Sequence, residues 1–251
     1  MKVSIITVCY NSDITIRDTI ESVLAQDYPN IEYIIVDGAS TDGTMDIVRE
    51  YEDRIDTIIS EPDKGIYDGM NKGIRAATGH VVGLLNSDDF YVDETCIRQL
   101  IEHMETAGSD TVFADLVIVD AKETEHIIRY YDSSAFHPGR LSFGWMPAHP
   151  TFMVKRALYE TYGDFSLDYR IAADFEMVAR LLHTAGASYS YLPRVVVKMR
   201  AGGASTSGLR SSWILNGEIV RACRANGIKT SLPRLLLKIS AKLMEYFRKS
   251  K

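Results

Sequence analysis

The chain has 251 residues, of which 46% are hydrophobic and 25% charged, so it can bury a large core and belongs to neither the disordered nor the fibrous class. Its three cysteines are widely spaced and form no CxxC pair, which disfavours a disulfide framework or a zinc site and predicts a reducing, cytoplasmic location. The apolar N-terminal stretch is too short for a signal peptide, and no apolar run is long enough to span a bilayer.

The net charge of -6 is unevenly distributed along the chain. Residues 221–251 contain nine basic residues and one acidic residue, so this tail has a charge of +8 and the rest of the chain -14. Such a difference predicts a partner surface for the tail. Nucleic acid is not the expected partner, because the body is acidic and shows no nucleic-acid-binding signature.

Hydrophobic periodicity predicts alternating strands and helices in the first hundred residues. The predicted elements are strand 2–8, helix 13–27, strand 31–37, helix 43–51, strand 55–59, helix 66–77 and strand 80–86. This alternation predicts right-handed βαβ units in a doubly wound α/β sheet. Later elements follow a different rhythm: extended runs within 111–155, a helix near 174–185, a strand near 187–197, and helices near 209–225 and 232–249.

Polar residues follow each of the four strands predicted in the first hundred residues. These clusters are Cys9-Tyr10-Asn11, "DGASTDGT" (37–44), "SEPDKG" (60–65) and residues 86–89. Any one of them is explained by a turn or a helix cap, as with Asp42 before a predicted helix. Ligands of open α/β sheets, however, bind outside the carboxyl ends of the strands. Four polar ends on one edge therefore predict a binding site.

Asp88 and Asp89 end the apolar run of the fourth predicted strand. Burial of an unpaired carboxylate is unfavourable, so a counter-charge is expected, supplied by a metal, an arginine or water. No GxxxxGK[ST] loop is present and no GxGxxG follows the first strand, so a bound phosphate needs another partner. A divalent cation, Mg²⁺ or Mn²⁺, held by these carboxylates fits that need.

Four segments resemble the family 2 glycosyltransferases with the GT-A fold. They are "IITVCYN", "VDGASTDGT", "EPDKGIYDGMNKGIRAATGHVVGLLNSDD" and "YRIAADFEMVARLL". The resemblance covers about residues 1–205 and is strongest to the subgroup that builds bacterial O-antigens and exopolysaccharides. It implies an α/β fold with a mixed, mostly parallel sheet flanked by helices. The implied catalytic domain is 1–205, with a nucleotide-binding half (1–90), an acceptor half (91–205) and C-terminal helices at 206–251.

The resemblance also implies an inverting transfer of one sugar from a nucleotide diphosphate sugar, usually UDP-linked, with Mn²⁺ or Mg²⁺. Asn86 and Asp88 correspond to the DxD element, although Asn replaces its first Asp, and Asp174 matches the catalytic base, although Ala173 stands where an acid is usual. Tyr10 and Asp37 would hold the nucleotide base. The full set of predicted donor-binding residues is Val8, Cys9, Tyr10, Asp37, Lys64, Asn71, Asn86, Ser87 and Asp88, with Asp88 and Asp89 at the metal.

The chemistry of sugar transfer needs the same residue types. A cation such as Lys64 would neutralise the departing diphosphate, and Asp174 would take the proton of the acceptor hydroxyl. A helix N-cap is the alternative role of Asp174. Trp145, His149 and Arg200 are predicted acceptor or lid residues, with a turn before Pro150 as the alternative role of His149.

The tail from residue 231 has an apolar helical face surrounded by Lys and Arg. This pattern predicts a helix lying on an anionic membrane surface, at the inner face of the cytoplasmic membrane. A helix packed on its own domain would show the same stripe. Glycines at 65, 69 and 73 recur every fourth residue and predict a helix face that closely approaches the sheet or the donor.

Three functions remain open at this level. The favoured one is transfer of a sugar to a lipid-linked saccharide acceptor in cell-surface polysaccharide biosynthesis. A sugar nucleotidylyltransferase shares the strand order but needs a Gly-rich loop after the first strand, where this chain has Cys9-Tyr10-Asn11. A non-catalytic nucleotide-sugar binding protein is the third. A processive synthase is disfavoured because the chain has no QxxRW motif.

Overall fold

The computed structural model describes residues 1–202 and 209–235, and its centre is a nine-stranded sheet. The strands are β1 (Val3–Cys9), β2 (Ile31–Asp37), β3 (Thr57–Ser60), β4 (Val81–Leu84), β5 (Asp89–Tyr91), β6 (Thr111–Val119), β7 (Ile127–Tyr131), β8 (Met153–Lys155) and β9 (Tyr189–Arg200). They lie in the order β3-β2-β1-β4-β8-β6-β9-β5, and β7 pairs with β6. The sheet therefore runs without interruption through both predicted halves of the catalytic domain.

Helices cover both faces of this sheet. They are α1 (Ile16–Leu24), α2 (Thr44–Arg49), α3 (Ile66–Ala76), α4 (Cys96–Ala107), α5 (Arg156–Tyr162), α6 (Ala173–Ala179) and α7 (Leu209–Ala225). Side chains of a strand alternate between faces, so Ile5 packs in the cluster with α1 and α4 while Ile6 packs with α3, α6 and α7. Burial on both faces explains why β1 is apolar almost throughout.

The sheet is mixed and mostly parallel, as expected. β3, β2, β1 and β4 are parallel neighbours, whereas β8 is antiparallel to β4 and β6, and β5 is antiparallel to β9. The chain moves outward from β1 to β2 and β3, then returns through α3 to β4 on the other side of β1. This reversal creates a crevice between the carboxyl ends of β1 and β4, where open α/β sheets bind ligands.

Most sequence-predicted elements are present with shifted ends. The helix predicted at 13–27 begins only at Ile16, after a turn in which Asn11 has a positive φ of 49°. The short strand β5 and the helices α4 and α5 were not predicted, and β8 is a short strand at the end of the extended runs predicted within 111–155. Both strands have three residues, too few to show a period in the sequence.

The first turn of the predicted tail helix packs against the domain. Leu235 is buried in the same cluster as Ile219 of α7, and the Arg234 guanidinium lies 4.2 Å from the ring centre of Phe143. The rest of that predicted helix, 236–249, lies outside the described residues. In the described ranges, no helix is long and apolar enough to cross a membrane.

Candidate functional site

A cavity of about 1000 Å³ opens between the carboxyl ends of β1 and β4. Its walls come from the ends of four strands and the segments after them: residues 8–12 at the end of β1 and just beyond it, Gly38 after β2, residues 62–63 after β3 and residues 86–88 after β4. The prediction that the four polar strand ends share one site is therefore confirmed. The turn after β6 and the end of β9 complete the wall, so the second half of the domain also contributes.

The part of the cavity nearest β2 is shaped by tightly joined loops. Asn11 accepts a hydrogen bond from the Thr41 N–H (2.9 Å), and its own N–H donates to Ser40 Oγ (2.8 Å). Gly38 lies so close to Asp63 that a Cβ there would be 2.7 Å from Oδ2. Tyr10 is 63% exposed beside these loops, so its ring is available to a planar ligand.

Asp37 lies below the cavity rather than on its wall. Its side chain is fully buried and accepts hydrogen bonds from the hydroxyls of Ser40 (2.5 Å) and Ser60 (2.7 Å) and from the Ser40 N–H. This carboxylate thus ties β2 to β3 and does not line the cavity, and its direct contact with the nucleotide base stays a prediction. Cys9 and Val8 do line the cavity, and burial raises the pKa of the Cys9 thiol.

Two other predicted donor contacts are also placed elsewhere. Asn71 is 2% exposed, and its amide exchanges two 2.8 Å hydrogen bonds with the backbone of Phe165. Lys64 is exposed and does not line the cavity, whereas its neighbours Asp63 and Gly65 do. Instead, Lys122, in the turn between β6 and β7, contributes to the wall. Sequence analysis missed Lys122 because nothing local connects that turn with the β1 and β4 ends.

The segment after β4 places Asn86, Ser87 and Asp88 on the cavity wall. Burial raises the pKa of Asp88, and the charge of Arg200 opposes that rise. Asp89 is 1% exposed and lies beneath; burial, and then the neighbouring Asp88, hold its pKa well above the usual range. Of the two carboxylates predicted at the metal, Asp88 faces the cavity, and direct metal binding by Asp89 stays a prediction.

Arg200 is the counter-charge of this acidic pair. Its guanidinium donates to the backbone carbonyl of Asp88 (2.9 Å), pairs with the Asp18 carboxylate of α1 and lies 4.8 Å from the ring centre of Phe90. The side chain is 6% exposed yet lines the cavity. Arg200 thus supports the residues after β4, and its acceptor or lid role stays a prediction.

The residues after β4 fit a hard divalent cation. Asn86 Oδ1 and Asp89 Oδ1 are buried without a hydrogen-bond partner among the described residues. Within that part of the chain no three His, Cys, Asp or Glu side chains cluster into a protein-only metal cage. Mg²⁺ and Mn²⁺ sites commonly use one or two carboxylates together with substrate phosphates, so Asp88 and a bound diphosphate form a suitable donor set.

Asp174 stands in the first turn of α6, half-buried, and its Oδ1 accepts the Phe175 N–H (2.7 Å). Burial raises its pKa, an effect that the nearby His149 imidazole opposes, and burial lowers the pKa of His149. Tyr67 of α3 also borders Asp174 and follows Ile66, which lines the cavity. Asp174 itself does not line the cavity.

The two remaining predicted acceptor residues differ in placement. His149 begins a short 3₁₀ turn, as its alternative role required, but its ring also contacts Phe165 edge-on at 5.9 Å beside Asp174. Trp145 lies under the Arg140 guanidinium, 5.8 Å from ring centre to charge, and does not line the cavity. Only His149 of this pair is thus brought to Asp174.

Residues 4–171 match the family model described as glycosyl transferase family 2. A PGL/p-HBAD biosynthesis glycosyltransferase of Mycobacterium tuberculosis is 29% identical over 201 residues, which cover 74% of this chain and 76% of that protein. The Escherichia coli UDP-Glc:alpha-D-GlcNAc-diphosphoundecaprenol beta-1,3-glucosyltransferase WfaP is 44% identical over 105 residues, 41% of either chain.

Solved structures share the fold at lower sequence identity. S. aureus TarS 1-349 in complex with UDP-GlcNAc superposes with a TM-score of 0.69 at 21% identity, covering 88% of this chain and 66% of that one. The mannosyltransferase PcManGT from Pyrobaculum calidifontis, in complex with GDP-Man and Mn²⁺, gives 0.62 at 18% identity, with coverage of 97% and 80%. These neighbours have the GT-A fold, which confirms the fold predicted from the sequence.

Proposed function

Because the chain belongs to glycosyl transferase family 2 and is a glycosyltransferase, we propose that it moves one sugar, with inversion, from a UDP-sugar to a hydroxyl of a lipid-linked saccharide in bacterial cell-surface polysaccharide biosynthesis. The main observation is the cavity at the β1/β4 crevice, into which the residues after β4 bring Asp88. Its volume suits a nucleotide sugar, and its polar side chains converge from several strand ends.

The donor proposal combines the cavity with the relatives. WfaP is named as a glucosyltransferase with UDP-Glc as its donor, and TarS was solved with UDP-GlcNAc. In this chain the uridine would stack on the exposed Tyr10, and the diphosphate would lie near Asp88 and Lys122. Asp37 would shape this end only indirectly, through its bonds to Ser40 and Ser60.

Asp88 would hold the divalent metal, with Asn86 beside it. When bound, Mn²⁺ or Mg²⁺ supplies positive charge that stabilises the departing diphosphate. Lys122, in the turn between β6 and β7, would add a second positive charge at the cavity wall. Arg200 would keep the backbone of Asp88 in place through its hydrogen bond to the Asp88 carbonyl. The presence of Mn²⁺ in the PcManGT complex supports a metal in this fold.

Asp174 would act as the general base. The acceptor oxygen forms a bond to the anomeric carbon, the bond from that carbon to the diphosphate breaks, and UDP leaves with the bonding electrons. The hydroxyl proton passes to the Asp174 carboxylate, whose raised pKa makes it a better proton acceptor than an exposed aspartate. Attack opposite the leaving group gives inversion. His149 would lie beside the Asp174 carboxylate rather than at the sugar donor.

A transfer assay tests this function. The protein is incubated with Mn²⁺, with UDP-Glc, UDP-GlcNAc or GDP-Man as donor, and with GlcNAc-diphosphoundecaprenol as acceptor, and the lipid products are analysed by mass spectrometry. We expect a product enlarged by one sugar with a UDP-linked donor, and the coupling constant of the new anomeric proton to report inversion. A product of retained configuration, or transfer from GDP-Man alone, would contradict the proposal.

A further inference from the structure

Glu218 of α7 accepts hydrogen bonds from three consecutive backbone N–H groups. Its Oε1 accepts from Arg170 (2.8 Å), and its Oε2 accepts from Ile171 (2.9 Å) and Ala172 (3.0 Å). The side chain is 13% exposed, so these charge-assisted bonds are largely shielded from water. One carboxylate thus fixes the backbone immediately before α6.

The same segment is held from the opposite side by α3. Tyr67 donates its hydroxyl hydrogen to the Ile171 carbonyl (2.6 Å), and its ring stacks on Phe165 with centroids 5.6 Å apart. Tyr67 follows Ile66, which lines the donor cavity. Residues 170–172 are therefore clamped between the cavity-forming helix and α7.

This clamp ends two residues before Asp174. An aspartate has a short side chain, so the direction of its carboxylate follows the backbone that supports it. The N-cap residue of α6 is Ala172, whose side chain makes no capping hydrogen bond. The backbone leading into α6 is held instead by Glu218 of α7, which lies beyond the residues 4–171 matched by the family model.

We propose that Glu218 is a positioning residue for Asp174, and this inference rests on the general-base role proposed above. By holding residues 170–172, Glu218 aims the Asp174 carboxylate at the acceptor hydroxyl. Catalytic groups need placement to within a fraction of an ångström, and a shift of about 1 Å can cost on the order of 10²-fold in rate. α7 is thereby part of the catalytic apparatus, although none of its described residues lines the cavity.

Two substitutions of Glu218 test this inference. Glu218→Ala removes all three bonds, and Glu218→Gln keeps the shape but replaces one acceptor oxygen with a donor. We expect kcat for transfer from UDP-Glc or UDP-GlcNAc to fall about 10-fold or more in the alanine variant and less in the glutamine variant. The KM of the donor and the affinity for UDP with Mn²⁺ should stay unchanged, since residues 170–172 do not line the cavity.

A double-mutant cycle separates positioning from general loosening of the fold. If Glu218 acts through Asp174, then Glu218→Ala should slow transfer no further once Asp174→Asn is present. Glu160→Gln is the matched control, because Glu160 is an exposed helix carboxylate paired with Arg156 one turn earlier. We expect its kcat to equal that of the unmodified protein. Melting temperatures identify any variant that fails to fold.

Each result decides a different claim. If the unmodified protein transfers no sugar, or if Asp174→Asn transfers normally, the proposed function or its base fails, and this inference fails with it. If Asp174→Asn is slow but kcat is normal in Glu218→Gln and Glu218→Ala, only the positioning role is overturned. Multiplicative losses in the double variant also overturn it. Should the alanine variant unfold, the kcat of the glutamine variant decides.

Discussion

At the scale of single residues, Asp88 and Asp89 show how adjacent carboxylates acquire different tasks. Asp88, in the turn before β5, faces the cavity, whereas Asp89, the first residue of β5, is buried. Arg200 compensates the charge of both from the side of β9. The sequence predicts an acidic site here, but not which carboxylate faces the ligand.

We expect Asp88→Ala to remove metal-dependent binding of UDP while leaving the melting temperature nearly unchanged. The reason is that Asp88 is the carboxylate of this pair on the cavity wall, whereas Asp89 is buried beneath it. Calorimetric titration of UDP in the presence of Mn²⁺ measures the loss. Asp46→Asn, at an exposed carboxylate paired with Arg49, is the control and should bind normally. Unchanged affinity in Asp88→Ala would refute the metal assignment.

Asp174→Asn should retain donor binding and lower kcat by about 10²-fold or more, the scale of a lost general base. In the unmodified protein, burial raises the pKa of Asp174, and only the ionised carboxylate can accept a proton. The rate kcat/KM should therefore decline as the pH falls through this raised pKa, at a higher pH than for an exposed aspartate. His149 and Tyr67 face the same carboxylate, so their substitution should shift the midpoint.

For that pH profile the exposed Asp168→Asn variant is the control, because its carboxylate lies in the preceding loop. It should retain both the rate and the midpoint of the unmodified protein. Normal turnover in Asp174→Asn would leave Asp174 with the role of a cap for α6.

At the scale of elements, the sequence predicts strands and helices that have a clear hydrophobic period. It does not predict features that depend on contacts with residues far away in the sequence. The strand β2 matches its predicted bounds because its seven residues form one apolar run between polar turns. β8 has only three residues and exists because it fits between β4 and β6. Asp37 and Asn71 have typical donor-binding residue types, but their partners, Ser60 and Phe165, lie far away in sequence.

The predicted close approach of the α3 glycines to the sheet is found at Gly73, whereas Gly65 precedes the helix with a φ of 110° and has no atom within 4 Å of a Cβ built on it. A Cβ on Gly73 would lie 2.3 Å from Ile6 Cγ2, so α3 approaches β1 too closely for alanine. We expect Gly73→Ala to lower the free energy of unfolding by about 1–3 kcal/mol through overpacking. In contrast Gly217, exposed in α7, has no atom within 4 Å of such a Cβ. Gly217→Ala should raise that free energy by about 0.5–1 kcal/mol.

Denaturation with urea measures both glycine variants under identical conditions. The opposite signs are the informative result, since helix propensity favours alanine at both positions and only packing differs. Destabilisation of the same size at both positions would show that the contact between α3 and β1 is not the cause.

At the scale of the whole molecule, the start of the basic tail packs against α7 of the catalytic domain. Leu235 is buried in the core of the domain. Of the two alternatives for the tail, packing on its own domain therefore holds as far as residue 235. The remaining residues 236–251 contain five basic residues and one acidic residue. We propose that they attach the enzyme to anionic lipid, where a lipid-linked acceptor would be found.

Two truncations distinguish packing from membrane attachment. Removal of residues 236–251 should abolish co-sedimentation with vesicles of anionic phospholipid while the melting temperature stays unchanged, because Leu235 and its contacts remain. Removal of 230–251 should also lower the melting temperature, since it deletes Leu235, the Arg234 contact with Phe143 and the hydrogen bond from Thr230 to the Ser142 carbonyl. Each basic residue near the surface contributes about 1 kcal/mol of attraction, which added salt screens. If the full-length protein pellets with neither anionic nor neutral vesicles, the tail is not a membrane anchor and its charge has another partner.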